Sequence, residues 1–85
     1  MNYLQAIDFG INSLKQKKTK SYNLDSELLL AKVLNLTREE LLINLNKKIQ
    51  KNIFIKYKKL IKRRAKKEPI AYLLKKKNSG NIDFM

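Results

Sequence analysis

Eighty-five residues give room for one small domain. With neither cysteine nor histidine, the chain can build no disulfide, no thiolate or imidazole zinc site and no histidine-based acid–base chemistry. The formal net charge is +13, and residues 47–77 hold 14 Lys and Arg against the single acid Glu68, whereas residues 1–46 hold six basic and five acidic groups. Such a segment attracts anionic partners: nucleic acid, an acidic protein face or an anionic membrane. A plainer reading stands beside it. Lys outnumbers Arg 17 to 3, the bias that AT-rich codon usage produces on any solvated face. No apolar run approaches the ~20 residues a membrane span needs. Met1 to Asp8 lacks a basic segment followed by an apolar one, so no signal peptide is expected. The missing cysteines fit a cytoplasmic location.

The first helix is expected from about Asn2 to Lys15, with Leu4, Ile7, Ile11 and Leu14 as its apolar stripe and Tyr3 and Phe9 beside it. Gly10 weakens this helix by roughly 1 kcal/mol relative to Ala, unless a neighbour approaches closely there. Residues 15–22 are polar and aperiodic, a loop. Ser21 or Asn23 can cap the second helix, and Asp25 and Glu27 suit the positive end of its dipole. Leu24, Leu28, Leu29, Leu30, Ala31, Val33 and Leu34 cover more than half of that helix, so it belongs at the centre of a bundle. Asn35 is a left-handed terminator.

Thr37 and Glu40 have capping-box spacing, with Leu36 and Leu41 spaced as a hydrophobic staple. A third helix therefore starts here and is expected to run through Leu42 and Leu45 to about Asn46. Residues 47–51 form a second polar link. The fourth helix spans about Gln50 to Lys67. Ile53, Tyr57, Leu60, Ile61, Arg64 and Ala65 line one side, Phe54 flanks them, and Lys51, Lys56, Lys58, Lys59, Lys62, Arg63 and Lys66 cover most of the rest. Pro69 disfavours helix at Glu68 and suits the first position of a new one. Ile70 to Leu74 form a short fifth helix with no polar side, so Ile70, Leu73 and Leu74 need cover or favour weak self-association. Residues 75–81 read as a charged turn. Ile82 to Met85 alternate weakly, like the start of a strand, which leads us to expect a β-containing domain to follow.

No catalytic constellation is visible. The carboxylates sit at caps or alone, no serine has a histidine partner, and Gly10 and Gly80 cannot form a phosphate-cradling loop. Tyr57 and Tyr72, spaced among aliphatics, read as core residues with a hydroxyl toward the surface. The fourth helix is rich in Lys and poor in Arg, Asn and Gln, a composition for salt-sensitive phosphate contact without base reading.

Three runs carry a family resemblance. They are Leu24-Asp25-Ser26-Glu27-Leu28-Leu29-Leu30-Ala31-Lys32-Val33-Leu34, then Leu36-Thr37-Arg38, then Arg63-Arg64 followed by Glu68-Pro69-Ile70-Ala71-Tyr72-Leu73. In order and separation they resemble the N-terminal helical domain of the release-factor glutamine methyltransferases (the PrmC/HemK family), from near the start to about Leu74. The family usually has Gly where this chain has Lys67 and Lys75, and Glu-Phe-aromatic where it reads Asn78-Ser79-Gly80.

The resemblance implies an all-α bundle of four main helices plus a short fifth, over residues 1–74, with residues 75–85 as a linker to an α/β catalytic domain. It implies that the full-length protein binds S-adenosylmethionine and methylates the glutamine of the Gly-Gly-Gln loop of a bacterial peptide-chain release factor. The family's catalytic and cofactor motifs lie in the later domain, so residues 1–85 are expected neither to bind the cofactor nor to transfer methyl groups. Within that frame, Lys58, Lys59, Lys62, Arg63 and Lys66 are candidate docking residues for an acidic patch on the release factor. Arg64, Glu68, Pro69 and Tyr72 are the candidate hinge between domains. The alternative is a free-standing basic module that binds nucleic-acid phosphate.

Overall fold

The chain begins with a reciprocal cap. The Asn2 side chain accepts from the Gln5 amide at 2.9 Å, and the Gln5 side chain accepts from the Asn2 amide at 3.0 Å. This satisfies donors that have no partner inside the helix. Helix α1 (Tyr3–Gln16) follows, then α2 (Tyr22–Leu34), α3 (Arg38–Leu42), α4 (Lys51–Ala65) and α5 (Ile70–Leu73). The computed structural model describes residues 1–74. The turn, the strand and the linker expected within residues 75–85 lie outside the described residues. Among the described residues there is no strand, only an isolated antiparallel bridge between Asn2 and Lys48.

Helices α1, α2 and α4 pack against one another, α3 leans on α2, and α5 folds back against α4. Ala6, Ile7 and Leu14 of α1, Leu29, Leu30 and Ala31 of α2, Leu41 of α3, Tyr57 and Ile61 of α4 and Leu73 of α5 form one buried core. The all-α bundle of five helices in the expected order is thus the observed one. Its inner face on α1 is rotated from the expected stripe, since Leu4 is 45% exposed while Gly10 is buried. The rotation follows from Gly10. A Cβ there would sit 2.9 Å from both the Ile61 side chain and the Ser26 hydroxyl. The missing side chain is what lets α1, α2 and α4 meet at this point.

The three long helices end alike. In each, the residue after the last turn takes positive φ: Lys18 at 60°, Asn35 at 61° and Lys67 at 75°. The next amide reaches back across the last turn, from Thr19 to Leu14, Leu36 to Ala31 and Glu68 to Arg63. These are Schellman terminators, usually built on Gly. Asn35 behaves as its sequence indicates. At α4 the stop lies at Ala65, ahead of Pro69, because Lys67 turns the chain first. Pro69 then serves as the cap of α5 rather than as its first residue.

The third helix is shorter than its pattern indicates. The Thr37–Glu40 capping box forms as expected, with bonds of 3.1 and 2.9 Å. The helix stops at Leu42, however, and residues 43–47 continue as turns closed by Asn44 to Leu41 and Lys47 to Asn44 bonds. The cause is tertiary. The carbonyls of Leu45 and Lys47 accept from the first amides of α1, Leu4 and Tyr3, and the Ile49 amide donates to the Met1 carbonyl. Turns over residues 43–47 set those carbonyls against the start of α1. The link after α3 is therefore a clasp over the chain's start.

The fifth helix finds its cover within the bundle. Leu73 is 3% exposed and Ile70 and Leu74 are half-buried, so of the two covers expected for this apolar segment, the bundle or a further neighbour, the bundle supplies one: α5 turns its leucine into the core. Tyr72, whose spacing reads as that of a core residue, is instead 54% exposed, because Leu73 takes the inward position on α5.

Candidate partner-docking site

Two clusters collect the polar residues singled out in the sequence. The first is the corner between α4 and α5. Arg64 donates through Nε to Asp25 Oδ2 at 2.7 Å and through Nη1 to the Glu68 carbonyl at 3.0 Å. Asp25 is 2% exposed, and the Ser21 hydroxyl donates to the same carboxylate oxygen at 3.0 Å. Ser21 precedes α2 but makes no side-chain cap bond, because its hydroxyl is turned to Asp25. Removing either member of such a pair leaves an uncompensated buried charge, which sets the value of the geometry. Arg63 points the other way. It pairs with Glu68 at 3.0 Å and lies 5.7 Å from the centre of the Tyr72 ring. The hydrogen bond to Glu68, and then its charge, raise the affinity of Arg63 for its proton. The candidate hinge residues Arg64, Glu68, Pro69 and Tyr72 thus share one corner, and Arg63 joins them there.

The second cluster is a groove of about 370 Å³ between α1 and α4. On α1 its wall is Phe9, Ser13, Gln16 and Lys17, at steps of four, three and one, which share a helix face. On α4 it is Ile55, Lys58, Lys59 and Lys62, at steps of three, one and three. Ile61 and Ala65 contribute to the floor. Phe9 is held in place by an edge-on contact with Phe54, ring centres 5.3 Å apart, and Lys58 stands 5.7 Å from the Phe54 ring. No carboxylate lines this groove. Of the five candidate docking residues, Lys58, Lys59 and Lys62 come together on its rim, Lys66 caps α4, and Arg63 is taken into the corner cluster.

Below the groove, the buried Tyr57 hydroxyl donates to the Ser26 carbonyl at 3.1 Å, which ties α4 to α2. Burial pushes its ionisation well above the ordinary tyrosine value. Tyr57 is therefore a core residue, as its spacing indicates, although its hydroxyl faces a helix backbone rather than the surface. Sequence reading passed over Asp25 as a buried partner and Phe9, Lys17 and Ile55 as groove residues. Two signals were available: an acid inside the leucine run of α2, and the shared three- and four-residue spacing on the outer face of α4.

Gly10 lies inside a helix beneath Tyr57, and no carboxylate faces the groove. Among the described residues no group of three or more Asp or Glu side chains is placed to hold a metal ion, and no helix is long and apolar enough to cross a membrane.

Among the described residues, the small helical bundle carries between α1 and α4 a groove with an apolar floor and a lysine rim. Comparison with known proteins gives the family. Residues 5–74 match the model of the PrmC N-terminal domain, and the chain belongs to that family. It is 38% identical over 71 residues to a release factor glutamine methyltransferase of Leptospira interrogans, an alignment covering 84% of this chain and 25% of that protein. It is 30% identical over 81 residues to the release factor glutamine methyltransferase of Geobacter sulfurreducens, covering 95% of the chain and 28% of the relative. A bifunctional methyltransferase of Rickettsia felis is 32% identical over 81 residues, 95% of the chain and 15% of the relative. The chain thus spans little more than a quarter, at most, of these curated relatives. No solved structure matches it.

Proposed function

We propose that residues 1–74 are the substrate-docking domain of a cytoplasmic release factor glutamine methyltransferase, and that residues 75–85 lead to its catalytic domain. The observation that carries this reading is the family match over residues 5–74. In the proposal the partner is a bacterial peptide-chain release factor, and the chemistry belongs to an S-adenosylmethionine-binding α/β domain outside residues 1–74. This domain supplies binding and orientation. It holds a large protein substrate so that the target glutamine reaches the catalytic domain with little search, the kind of positioning that lowers a barrier by prior ordering.

The lysines at positions 58, 59 and 62 support the reading, because a cationic rim free of acids steers and selects an acidic protein face. The Arg64–Asp25–Glu68 corner acts in it as the hinge. It fixes the direction in which α5 leaves the bundle, and with it the path toward the catalytic domain.

Isothermal titration of the 85-residue chain with a release factor tests the proposal. Saturable binding that falls about tenfold or more on changing Lys58, Lys59 and Lys62 to Glu is the expected result. Undiminished binding by that variant would remove the basic face from the reading. Titration with S-adenosylmethionine alone is expected to give no binding to residues 1–85. The second reading, a phosphate-binding module, is favoured by the cations of α4, among which no acid lies. It predicts tight, steeply salt-dependent binding to unrelated duplexes and none to the release factor.

A further inference from the structure

The geometry points to the chemistry of the docked segment: the α1–α4 groove takes an amphipathic helix of the partner, with an aromatic or branched aliphatic anchor set between carboxylates. This rests on the reading of the domain as a protein-docking unit and goes past it, because charge alone would need only a lysine face.

Three features argue for an anchor. The groove is a cleft of about 370 Å³ with Ile61 and Ala65 at its base and Phe9 on its wall, so it offers apolar surface as well as charge. Ile55 stands on its edge 44% exposed, an apolar side chain that water gains nothing by meeting. The rim cations are Lys17 at the C-cap of α1 and Lys58 and Lys62 of α4, so they bracket the cleft on two sides. An anchor side chain that enters the cleft is therefore flanked by cations in either direction. Long lysine stems can lie along the apolar wall while their ammonium groups meet carboxylates at the rim.

Nucleic acid fits this surface less well. Phosphate would use the lysines and leave Phe9 and Ile55 without a partner, and the half-buried Phe9 ring is packed edge-on against Phe54 rather than presented as a stacking platform. A helix is the favoured form of the occupant because the two walls are themselves helices. The hollow between them is a groove into which a ridge of side chains at three- and four-residue spacing can pack.

The test uses the 85-residue chain and fluorescence anisotropy. One probe is a helix-forming peptide of about 18 residues, five turns, with Glu on one face and Leu and Phe on the other. A second probe has the same Glu residues but Gln and Ser in place of Leu and Phe. A release factor and an RNA duplex are titrated in parallel. Two variants report on the groove: Ile55→Asp, at an exposed position, and Ser13→Trp, which fills the cleft from the other wall. Circular dichroism confirms that each is folded.

The expected result is that the Leu/Phe probe binds at least about tenfold more tightly than the Gln/Ser probe, and that both variants erase the difference. Equal binding of the two probes would overturn the inference, leaving a charged face without an anchor site. So would RNA displacing the Leu/Phe probe from the groove with higher affinity. Release-factor binding untouched by both variants would overturn the groove inference while the docking function stands. Selective, variant-sensitive binding of the Leu/Phe probe with no release-factor binding would uphold the groove and remove the release factor as its partner.

Discussion

Gly10 and Tyr57 are one device seen from two helices. The glycine leaves the space that the tyrosine hydroxyl crosses on its way to the Ser26 carbonyl, 31 residues away in sequence. Gly10→Ala would gain about 1 kcal/mol of helix propensity. It would also force Ile61, Ser26 and Tyr57 to give way, and overpacking of this kind costs roughly 1–3 kcal/mol. The expected outcome is a melting temperature lower by several degrees, read by circular dichroism. An increase would mean that the three helices slide apart freely.

Tyr57 also gives a pH signature. Its ionisation is raised in the fold above the value near 10 that it has when unfolded. The folded state therefore keeps a proton that the unfolded state loses, so stability is full below that value and falls as pH rises beyond it. Tyr57→Phe should flatten this alkaline fall relative to the parent. The same change should cost about 1 kcal/mol at neutral pH for the lost hydrogen bond. Parallel urea melts at neutral and alkaline pH measure both effects. An unchanged slope would show that the hydroxyl is not held in its proton-bearing form.

At the scale of the element, local chemistry decides where helices start, and long-range chemistry decides where one of them stops. The Thr37–Glu40 box and the left-handed Asn35 are visible in sequence because every partner lies within four residues. The end of α3 is hidden because the carbonyls that leave it are taken by Tyr3 and Leu4, some forty residues earlier. The terminators at Lys18 and Lys67 show a further economy. Each places a side chain in left-handed backbone, a conformation that costs an L-residue roughly 1–2 kcal/mol and glycine nearly nothing. Lys18→Gly is therefore expected to raise stability by about 1 kcal/mol in a denaturant melt, with part of the gain offset by the looser unfolded chain. Lys67 is a less clean test, because its ammonium also donates to the Lys17 carbonyl at 2.8 Å.

For the whole molecule, the pair that matters is Arg64 with Asp25. It joins residues 39 apart and holds the start of α2 to the end of α4, while the second arm of the guanidinium fixes Glu68 ahead of α5. Arg64→Met strands the carboxylate. The expected loss lies toward the lower end of roughly 3–5 kcal/mol, because Arg64 keeps 17% of its side-chain exposure. A loss under about 1 kcal/mol would place the pair with surface bridges such as Arg38–Glu27.

What the sequence determined by itself is the list of helices, their order, the caps at Asn35 and Thr37, the cationic face of α4 and the family to which the three motif runs belong. All of these rest on contacts between residues three or four apart, or on side-chain types in a fixed order. What only the tertiary structure decided is how each helix is turned about its own axis. That rotation exposes Leu4, buries Gly10 and Leu73, pairs Asp25 with Arg64, and opens the groove in which Phe9 and Ile55 meet the lysines. No local interaction sets it. It is fixed where three helices compete for one core, and the smallest residue marks the point at which they come closest.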